Sequence, residues 1–335
     1  MIDDKENKRI IIFGGSGFLG FRLTKSLSRL GYKVIIVDLI DTHDDTIENV
    51  SFVKIDLIKK DIDKLIEIRK SDIFINLASR QYHNKVPYFK RQKWFDEVNF
   101  YVSKNIMKIA LKKQISGFIH FSTDMVYGLS NGNIIDEKFI PNPIAEYGKS
   151  KLKAETFLRN NAKNILPLTI FRPRLISGPG RLGVFTKLFG LINKSKTIPL
   201  IGNGLNCYQM VSVDDCVSAI LLSLEKNICD DTFNLASNKK IMVVDLIKNL
   251  IIFSKSNSKV LPINSLLVKA GLYLTDLIGL PLLYKEQYSI ADKDIFLDIS
   301  KAKKILNWKP KFDDQQMIEL SYEYWLNIKK NNYKS

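Results

Sequence analysis

The segment Arg9–Gly20, RIIIFGGSGFLG, decides the fold of this 335-residue chain. It joins a short β-branched run to a glycine-rich turn, and leucines at helical spacing follow the turn. Backbone N–H groups and the helix dipole at such a strand-to-helix turn can receive a pyrophosphate. The glycines have the spacing GxxGxxG rather than the more common GxGxxG. The pattern favours a dinucleotide-binding unit at the start of the chain.

Further apolar runs alternate with helical patterns through the first half of the sequence. Each run is short and rich in β-branched residues, as expected of strands that are buried on both faces. The predicted strands are Arg9–Phe13, Lys33–Asp38, Ser51–Asp56, Asp72–Leu77, Gly117–Ser122 and Leu168–Arg172. Parallel strands with intervening helices predict an α/β protein with a doubly wound Rossmann sheet.

An acidic residue at the end of the second strand indicates which dinucleotide binds. Asp38 lies 18 positions after Gly20, where a carboxylate can accept hydrogen bonds from both hydroxyls of the adenosine ribose. The same charge would repel a 2′-phosphate, and no arginine follows Asp38 to receive one. The sequence therefore favours NAD(H) over NADP(H).

The ends of the third and fourth strands carry further candidates for cofactor contacts. Asp56 can meet the adenine amino group and Leu57 can cover the ring, although either could equally serve as a strand-end cap. The small residues of Asn76–Ser79 would let the backbone approach the cofactor, or could reflect close packing alone.

The alternation of strands and helices loosens after about Gly178, where loops containing proline and glycine separate helical pieces. We predict an NAD-binding Rossmann domain over residues 8–178 that carries the catalytic residues. Residues 179–335 are predicted to form mainly a smaller, mixed substrate-binding lobe, with some segments returning to the Rossmann sheet.

Tyr147 and Lys151 lie four residues apart, on the same face if their segment is helical. A phenol with a pKa of about 10 is a poor base at neutral pH, and a neighbouring ammonium is expected to lower that pKa. Tyr147 could then exchange a proton with a substrate hydroxyl while hydride moves to the nicotinamide. Thr123, which follows the fifth strand, is placed to hydrogen-bond the same oxygen.

With these motifs in order, the chain resembles the extended short-chain dehydrogenase/reductases, specifically the NAD-dependent epimerase/dehydratase family, and within it the nucleotide-sugar 4-epimerases. The resemblance runs nearly end to end. The matching motifs are Gly14–Gly20, Asp38, Asp56–Leu57, Asn76–Ser79, Val98–Asn99, Ser122–Gly128, Tyr147–Lys151, Arg172–Pro173, Gly178–Gly180, Gly202–Gly204, Val213–Asp215 and Asp298–Pro310.

The resemblance implies that Thr123, Tyr147 and Lys151 form the catalytic trio. It also implies that Pro173 lies near the nicotinamide and that Asn99 has a structural or proton-relay role. The full set of predicted cofactor contacts is Gly14, Gly17, Phe18, Leu19, Gly20, Asp38, Asp56, Leu57, Leu77, Ala78, Ser79, Asn99, Ser122, Tyr147, Lys151 and Pro173.

The sequence departs from the family pattern on the substrate side. Members that dehydrate nucleotide sugars carry an Asp-Glu pair after the catalytic threonine, whereas this chain has Asp124 and Met125, and a thioether can neither give nor take a proton. Leu175 replaces an asparagine, and Tyr208 an arginine, that would hold a nucleotide diphosphate. Arg174 or Arg181 could compensate, or could be surface charges. The predicted substrate contacts are Gln81, His83, Thr123, Asp124, Met125, Arg174 and Arg181.

The sequence predicts an NAD-dependent sugar epimerase or oxidoreductase that acts on a secondary hydroxyl of a nucleotide sugar. The alternative is an NAD-dependent dehydrogenase or reductase that acts on a non-nucleotide alcohol, either hydroxysteroid-like or lipid. This alternative is favoured by Leu175, Tyr208 and the apolar stretch Val260–Tyr284. A sugar-nucleotide dehydratase and a non-catalytic NAD-binding protein fit the residues less well.

Composition limits the other classes of partner. The chain has 51 Lys and Arg against 35 Asp and Glu, a formal charge of +16, but the basic residues are scattered, which favours a small anionic ligand over nucleic acid. Cys207, Cys216 and Cys229 form no CxxC pair and have no histidine nearby, so we predict neither a metal site nor disulfides, and a reducing cytosol.

The most apolar stretch, Val260–Tyr284, is broken by Lys269 and Asp276 and contains two prolines, which argues against a transmembrane segment. It is expected to form a covering lobe or a surface in contact with lipid. No signal peptide precedes the first strand, so a cytoplasmic location is predicted. The family resemblance implies a homodimer.

Overall fold

The computed structural model describes residues 8–42, 46–59, 62–83, 86–183 and 185–332. Within these ranges most of the chain is organised into strands and helices that alternate, as the sequence pattern predicts. The strands are β1 Arg9–Phe13, β2 Lys33–Asp38, β3 Val50–Lys54, β4 Ile73–Asn76, β5 Gly117–Phe121, β6 Ile134–Ile135, β7 Leu168–Pro173, β8 Leu175–Ser177, β9 Ile198–Ile201, β10 Met210–Ser212, β11 Thr232–Leu235, β12 Val260–Ile263 and β13 Phe296–Leu297.

The helices pack on both faces of the main sheet and build the C-terminal part of the molecule. A π-helical segment, Glu97–Val102, joins two of them. The α-helices are α1 Phe18–Arg29, α2 Arg91–Asp96, α3 Ser103–Lys113, α4 Glu146–Ala162, α5 Phe185–Asn193, α6 Val213–Glu225, α7 Val243–Phe253, α8 Ser265–Leu277, α9 Lys285–Ile290, α10 Ser300–Leu306 and α11 Asp314–Asn332. Among the described residues, no helix combines the length and apolarity needed to cross a bilayer.

The central sheet has seven parallel strands in the order β11-β7-β5-β4-β1-β2-β3. The chain runs outward in one direction from β1 to β3 and then returns to build the other half from β4. Between β1 and β4 the strand order therefore reverses, and ligands of such sheets bind at the carboxyl ends of the strands at that point. The predicted doubly wound Rossmann fold is confirmed.

The core consists of two apolar layers, one on each face of the sheet. Along β1 the side chains alternate, so that Ile10 and Ile12 face one layer while Ile11 and Phe13 face the other. Both faces are covered by helices, which explains why the strands are apolar on both sides.

The C-terminal part combines two-stranded parallel sheets with α5, α7 and α11 around a third apolar cluster. The chain nevertheless returns to the main sheet at β11, which pairs with β7. The six predicted strands agree with the structure within two residues at each end, and β11 is the strand of the main sheet that the pattern did not identify. The division into residues 8–178 and 179–335 stays a prediction.

Candidate active site

The glycine turn between β1 and α1 is shaped for close approach to a ligand. Gly14 has φ +80°, and a Cβ at this position would lie 2.7 Å from the backbone N of Ala78. A Cβ at Gly20 would lie 2.5 Å from the carbonyl oxygen of Gly15. Gly17 is the N-cap residue of α1, and no side chain caps the first turn of this helix. The N–H groups of that turn can therefore receive an anion.

Asp38, at the end of β2, lies beside this turn as predicted. Its carboxylate accepts hydrogen bonds from the N–H groups of Ser16, at 3.0 Å, and Leu39, at 2.7 Å. These bonds fix the carboxylate at the strand end and leave lone pairs for a ribose. Asp56 accepts a bond from the N–H of Ile58 at 3.1 Å, so in this structure it acts as the strand-end cap that the sequence allowed.

Asn99 holds the end of β4 against α4. Its side-chain oxygen accepts hydrogen bonds from Ser79 Oγ and from the N–H of Arg80, at 3.2 and 2.8 Å. Its amide nitrogen donates to the carbonyl of Arg80 at 3.1 Å and to Ser150 Oγ at 2.9 Å. Because these four bonds use the amide's full capacity, the structure gives Asn99 a positioning role.

The other predicted cofactor contacts lie along the carboxyl edge of the sheet or pack into its core. Ser122 and Pro173 are buried just after β5 and at the end of β7, and Ser122 Oγ has no hydrogen-bond partner among the described residues. Leu19 is part of the core, whereas Phe18, Leu57 and Leu77 are half-buried against it.

The structure brings Tyr147 and Thr123 together. Tyr147 lies in the first turn of α4, buried against the rings of Tyr82 and Phe95 at 5.8 and 5.7 Å. The hydroxyls of Thr123 and Ser79 lie near its phenol and act to lower the pKa of Tyr147. Thr123 follows β5, so its hydroxyl lies at the carboxyl edge of the sheet, on the same side as Tyr147.

Lys151 lies one turn further along α4 and is also buried. Its Nζ donates to the carbonyl oxygen of Phe121 at 2.5 Å, at the end of β5. Burial lowers the pKa of Lys151 to about 8, while the carboxylate of Glu155 acts in the opposite direction.

The expectation that Lys151 lowers the pKa of Tyr147 is wrong for this state of the protein. Burial of the phenol, and next the nearby carboxylate of Glu286, raise the pKa of Tyr147 to about 12. Arg181 and the hydrogen bonds from Ser79 and Thr123 oppose this rise without overcoming it. At neutral pH the phenol is therefore protonated.

Two of the predicted substrate contacts bind each other. Arg174 Nη1 donates to Asp124 Oδ2, and both side chains are buried. The guanidinium also lies over the ring of Tyr208, 4.4 Å from its centroid. Asp124 Oδ1 accepts a hydrogen bond from Thr123 Oγ1 at 3.2 Å, so this ion pair holds the hydroxyl of Thr123 in place. Met125 packs, half-buried, against the core.

Arg181, Gln81 and His83 form a second cluster. Arg181 Nη2 donates to Gln81 Oε1 and lies 3.3 Å from His83 Nδ1. Burial and the charge of Arg181 lower the pKa of His83, which keeps the ring neutral at physiological pH. Because Arg181 also acts electrostatically on the phenol of Tyr147, the cluster lies on the tyrosine's side of the site.

Glu286 is a component of the site that the sequence did not reveal. This residue of α9 is 1% exposed, accepts a hydrogen bond from the N–H of Gly148 at 3.0 Å, and accepts another from the hydroxyl of Tyr82 at 2.7 Å. Burial raises its pKa to about 7. The only available sequence signal is that Glu286 is an isolated acid at the end of the apolar stretch.

Glu286 is expected to make the fold less stable as the pH rises from about 4.5 to about 7. The pKa of Glu286 is higher in the folded state than in the unfolded state, so the folded protein binds the proton more tightly. This contribution to the free energy of unfolding is complete below about pH 4.5 and is lost as the carboxyl ionises in the folded protein. Glu286→Gln should remove this part of the pH dependence, as measured by urea unfolding at about pH 5 and pH 8.

Asp314→Asn serves as the matched control, because burial likewise raises the pKa of Asp314, a residue of α11 that binds the N–H of Met210, to about 7. The effects of the two single variants should add in the double variant. A Glu286→Gln protein with the full pH dependence of the wild type would show that this carboxyl does not titrate as a buried group.

Comparisons with known proteins agree with the fold and with the motifs. The protein-family model of the NAD dependent epimerase/dehydratase family matches residues 10–236. An uncharacterised protein of Sinorhizobium fredii is 28% identical over 322 residues, which cover 95% of this chain and 78% of the relative. The dTDP-D-glucose 4,6-dehydratase of Homo sapiens is 29% identical over 267 residues, which cover 75% of this chain and 76% of the relative.

A crystal structure shows the same fold. The UDP-glucuronic acid 4-epimerase of Bacillus cereus, solved in complex with UDP-glucuronic acid and NAD, has a TM-score of 0.77 and 22% identity to this chain. The similarity covers 96% of this chain and 99% of the epimerase. The family match includes the glycine turn, Asp38, Thr123, Tyr147 and Lys151.

Proposed function

This chain belongs to the NAD-dependent epimerase/dehydratase family, and we propose that it is an epimerase that inverts a secondary hydroxyl of a nucleotide sugar. The observation that carries the proposal is the placement of the Tyr147 phenol near the hydroxyls of Thr123 and Ser79 at the carboxyl edge of the sheet, beside the glycine turn. Ligands of such sheets bind at this edge.

The residues present fit a bound NAD. The N–H groups of the first turn of α1 would receive the pyrophosphate, and Asp38 would hold the adenosine ribose. The unpartnered Oγ of Ser122, together with Pro173, would lie toward the nicotinamide. When bound, oxidised NAD supplies a hydride acceptor and a positive charge, and a positive charge favours the phenolate form of tyrosine.

Tyr147 moves the proton in this proposal. In the phenolate form, which the positive charge of bound NAD would favour, its oxygen takes the proton of the substrate hydroxyl as that group gives up its hydride and becomes a carbonyl, and returns the proton when the carbonyl is reduced. Thr123 Oγ1 holds the same substrate oxygen. Lys151, fixed by its bond to the Phe121 carbonyl, supplies a second positive charge on the same face of α4.

Arg181 is the residue that we assign to the diphosphate of the substrate. Arg174 is neutralised by Asp124, whereas Arg181 has neutral partners, Gln81 and His83, and so keeps its charge for an anion. The human and Bacillus cereus relatives named above carry the names of nucleotide-sugar enzymes, which favours this substrate class over a sterol-like or lipid alcohol. A dehydratase is less well supported, because Met125 cannot act as a base.

We also propose a cytoplasmic homodimer. The three cysteines are free thiols, in keeping with a reducing compartment. The candidate dimer surface is the open groove along α4 that includes Leu152 and Phe157. Sedimentation at several protein concentrations would test it, because a monomer at all concentrations contradicts the proposed dimer.

A panel of UDP-, GDP- and dTDP-sugars should raise the melting temperature in the presence of NAD for at least one nucleotide. A ligand at a hundredfold excess over its Kd adds about 2.7 kcal/mol to the free energy of unfolding. Arg181→Met should lose this shift and keep the shift caused by NAD alone. If no nucleotide sugar shifts the wild type, the substrate assignment is wrong.

The same ligand then distinguishes an epimerase from a dehydrogenase. An epimerase converts the sugar without releasing reduced cofactor, whereas a dehydrogenase accumulates it in stoichiometric amounts. Chromatography of the sugar and absorbance of the reduced nicotinamide report the two outcomes.

A further inference from the structure

Helix α8 presents a continuous apolar surface to solvent. All of its exposed residues are leucine, alanine, glycine or tyrosine, and apolar residues of the following loop extend the surface. We call this surface the α8 face; its members are Leu266, Leu267, Ala270, Gly271, Tyr273, Leu274, Leu277, Ile278, Leu280 and Leu282. Contiguous exposed apolar surface of this kind marks an interaction site.

The charged residues of α8 point the other way and are paired. Lys269 Nζ lies 2.5 Å from Asp292 Oδ1, and Asp276 accepts two hydrogen bonds from Arg91 at 2.6 and 2.9 Å. A surface helix in water normally has the reverse polarity, with its apolar stripe inward and its charges outward. The inversion leaves the α8 face without an apolar partner within the described residues.

A neighbouring segment extends the apolar surface. The hydroxyl of Tyr88 donates to the carbonyl of Leu277, and a Cβ at Gly279 would lie 3.6 Å from the ring of Tyr88. The next residue, Phe89, is 75% exposed. An exposed phenylalanine therefore accompanies the C-terminal end of α8.

The exposed charged residues from residue 259 to residue 293 are lysines, Lys259, Lys285 and Lys293, and the acids of this span are paired within the protein. The next residue, Asp294, is an exposed acid whose carboxylate accepts a hydrogen bond from the N–H of Cys207 at 2.8 Å. Lys90 and Lys93 add two exposed ammonium groups beside Phe89. Apolar side chains surrounded by lysines complement the headgroups and acyl chains of an anionic bilayer.

We propose that the α8 face docks the protein on the surface of a membrane that contains anionic lipids. With 13 residues α8 is about 20 Å long, shorter than the ~30 Å hydrocarbon core, so it lies in the interface. The lysines favour this partner over a second copy of the chain, because a two-fold contact would bring like charges together. The proposal does not depend on the substrate.

Docking would bring the active site close to the bilayer. The loop after α8 leads directly into α9, where Glu286 binds the N–H of Gly148 next to Tyr147. Tyr284, at the start of α9, stacks on Tyr82 at 4.7 Å between ring centroids. The wall of the site is thus continuous with the docking surface.

Flotation of the full-length protein with phosphatidylcholine vesicles, with and without phosphatidylglycerol, tests the proposal. We expect binding to the anionic vesicles that weakens at high ionic strength. The double variant Leu266→Glu/Leu274→Glu changes side chains that are 76% and 60% exposed, and it should weaken that binding at least about tenfold. The melting temperature of this variant should equal that of the wild type, because neither side chain is in the core.

Ile165→Glu is the matched control, since Ile165 is 73% exposed on another part of the molecule and should leave vesicle binding unchanged. The proposal is overturned if the wild type stays with the soluble fraction, or if the double variant floats as well as the wild type. It is also overturned if the double variant merely dissociates an oligomer in sedimentation while vesicle binding is absent, which would make the α8 face a protein interface.

Discussion

A Tyr147→Phe variant is expected to lose about 10²–10⁴-fold in kcat, the usual contribution of a positioned acid–base group. The substitution removes one oxygen, the atom that lies near the hydroxyls of Thr123 and Ser79. The ring stays in place, because its packing against Tyr82 and Phe95 does not involve the hydroxyl. NAD affinity and the melting temperature should therefore change little.

Turnover of the nucleotide sugar identified by the thermal-shift panel gives the readout, and calorimetry gives the affinity for NAD. Tyr32→Phe is the matched control: Tyr32 is also a buried tyrosine, but it precedes β2 at the opposite edge of the sheet. This control should retain wild-type kcat. Full activity of Tyr147→Phe would remove Tyr147 from the mechanism, and an equal loss in Tyr32→Phe would attribute the effect to folding.

The sequence predicted the central strands because their burial on both faces leaves a continuous apolar signal. β1 and β2 agree with the predicted bounds to the residue. β11 escaped prediction, since its four residues TFNL include Asn234, whose amide is satisfied only by distant groups. Asn234 donates to the carbonyls of Ile135 and Asp298 and accepts from the hydroxyl of Tyr127. Such a polar strand residue is explained by tertiary contacts alone.

The site was predictable where its geometry is local. A four-residue spacing on one helix places Tyr147 and Lys151 on the same buried face of α4, and the strand ends place Asp38 and Thr123 at one edge. The electrostatics were not predictable, because they come from remote residues. Glu286 binds Gly148 across 138 positions of sequence, and its charge helps to raise the pKa of Tyr147.

The same limit applies to the arginines. From the sequence, Arg174 is a candidate for the substrate's diphosphate, yet its charge meets Asp124, 50 positions away. The motif residue Arg172, two positions earlier, is engaged by Glu155 and Tyr127. An arginine of a sequence motif can thus have a structural role. For Arg172 this role predicts a measurable loss of stability when the side chain is replaced.

Arg172→Met is expected to lower the free energy of unfolding by about 3–5 kcal/mol, the usual cost of leaving a buried charge without its partner. Arg172 Nη2 donates to Glu155 Oε2 at 2.6 Å and Nε contacts both carboxylate oxygens, with both side chains buried. Nη1 also donates to Tyr127 at 2.9 Å. Arg159, 3.8 Å from Glu155, offers only partial compensation, because its own side chain is 43% exposed.

Urea unfolding measures the loss, and two further variants identify its cause. Arg69→Met breaks an exposed pair, with Arg69 at 3.3 Å from Glu67, and should cost less than about 1 kcal/mol. Arg172→Met/Glu155→Leu removes both buried charges and should recover most of the stability lost in the single variant. If the double variant is as unstable as Arg172→Met, the loss comes from packing rather than from the unpaired carboxylate. Glu155 lies one turn after Lys151 on α4. If the double variant recovers its stability, the loss comes from the unpaired charge, and the ion pair of Arg172 with Glu155 stabilises the helix that carries Tyr147.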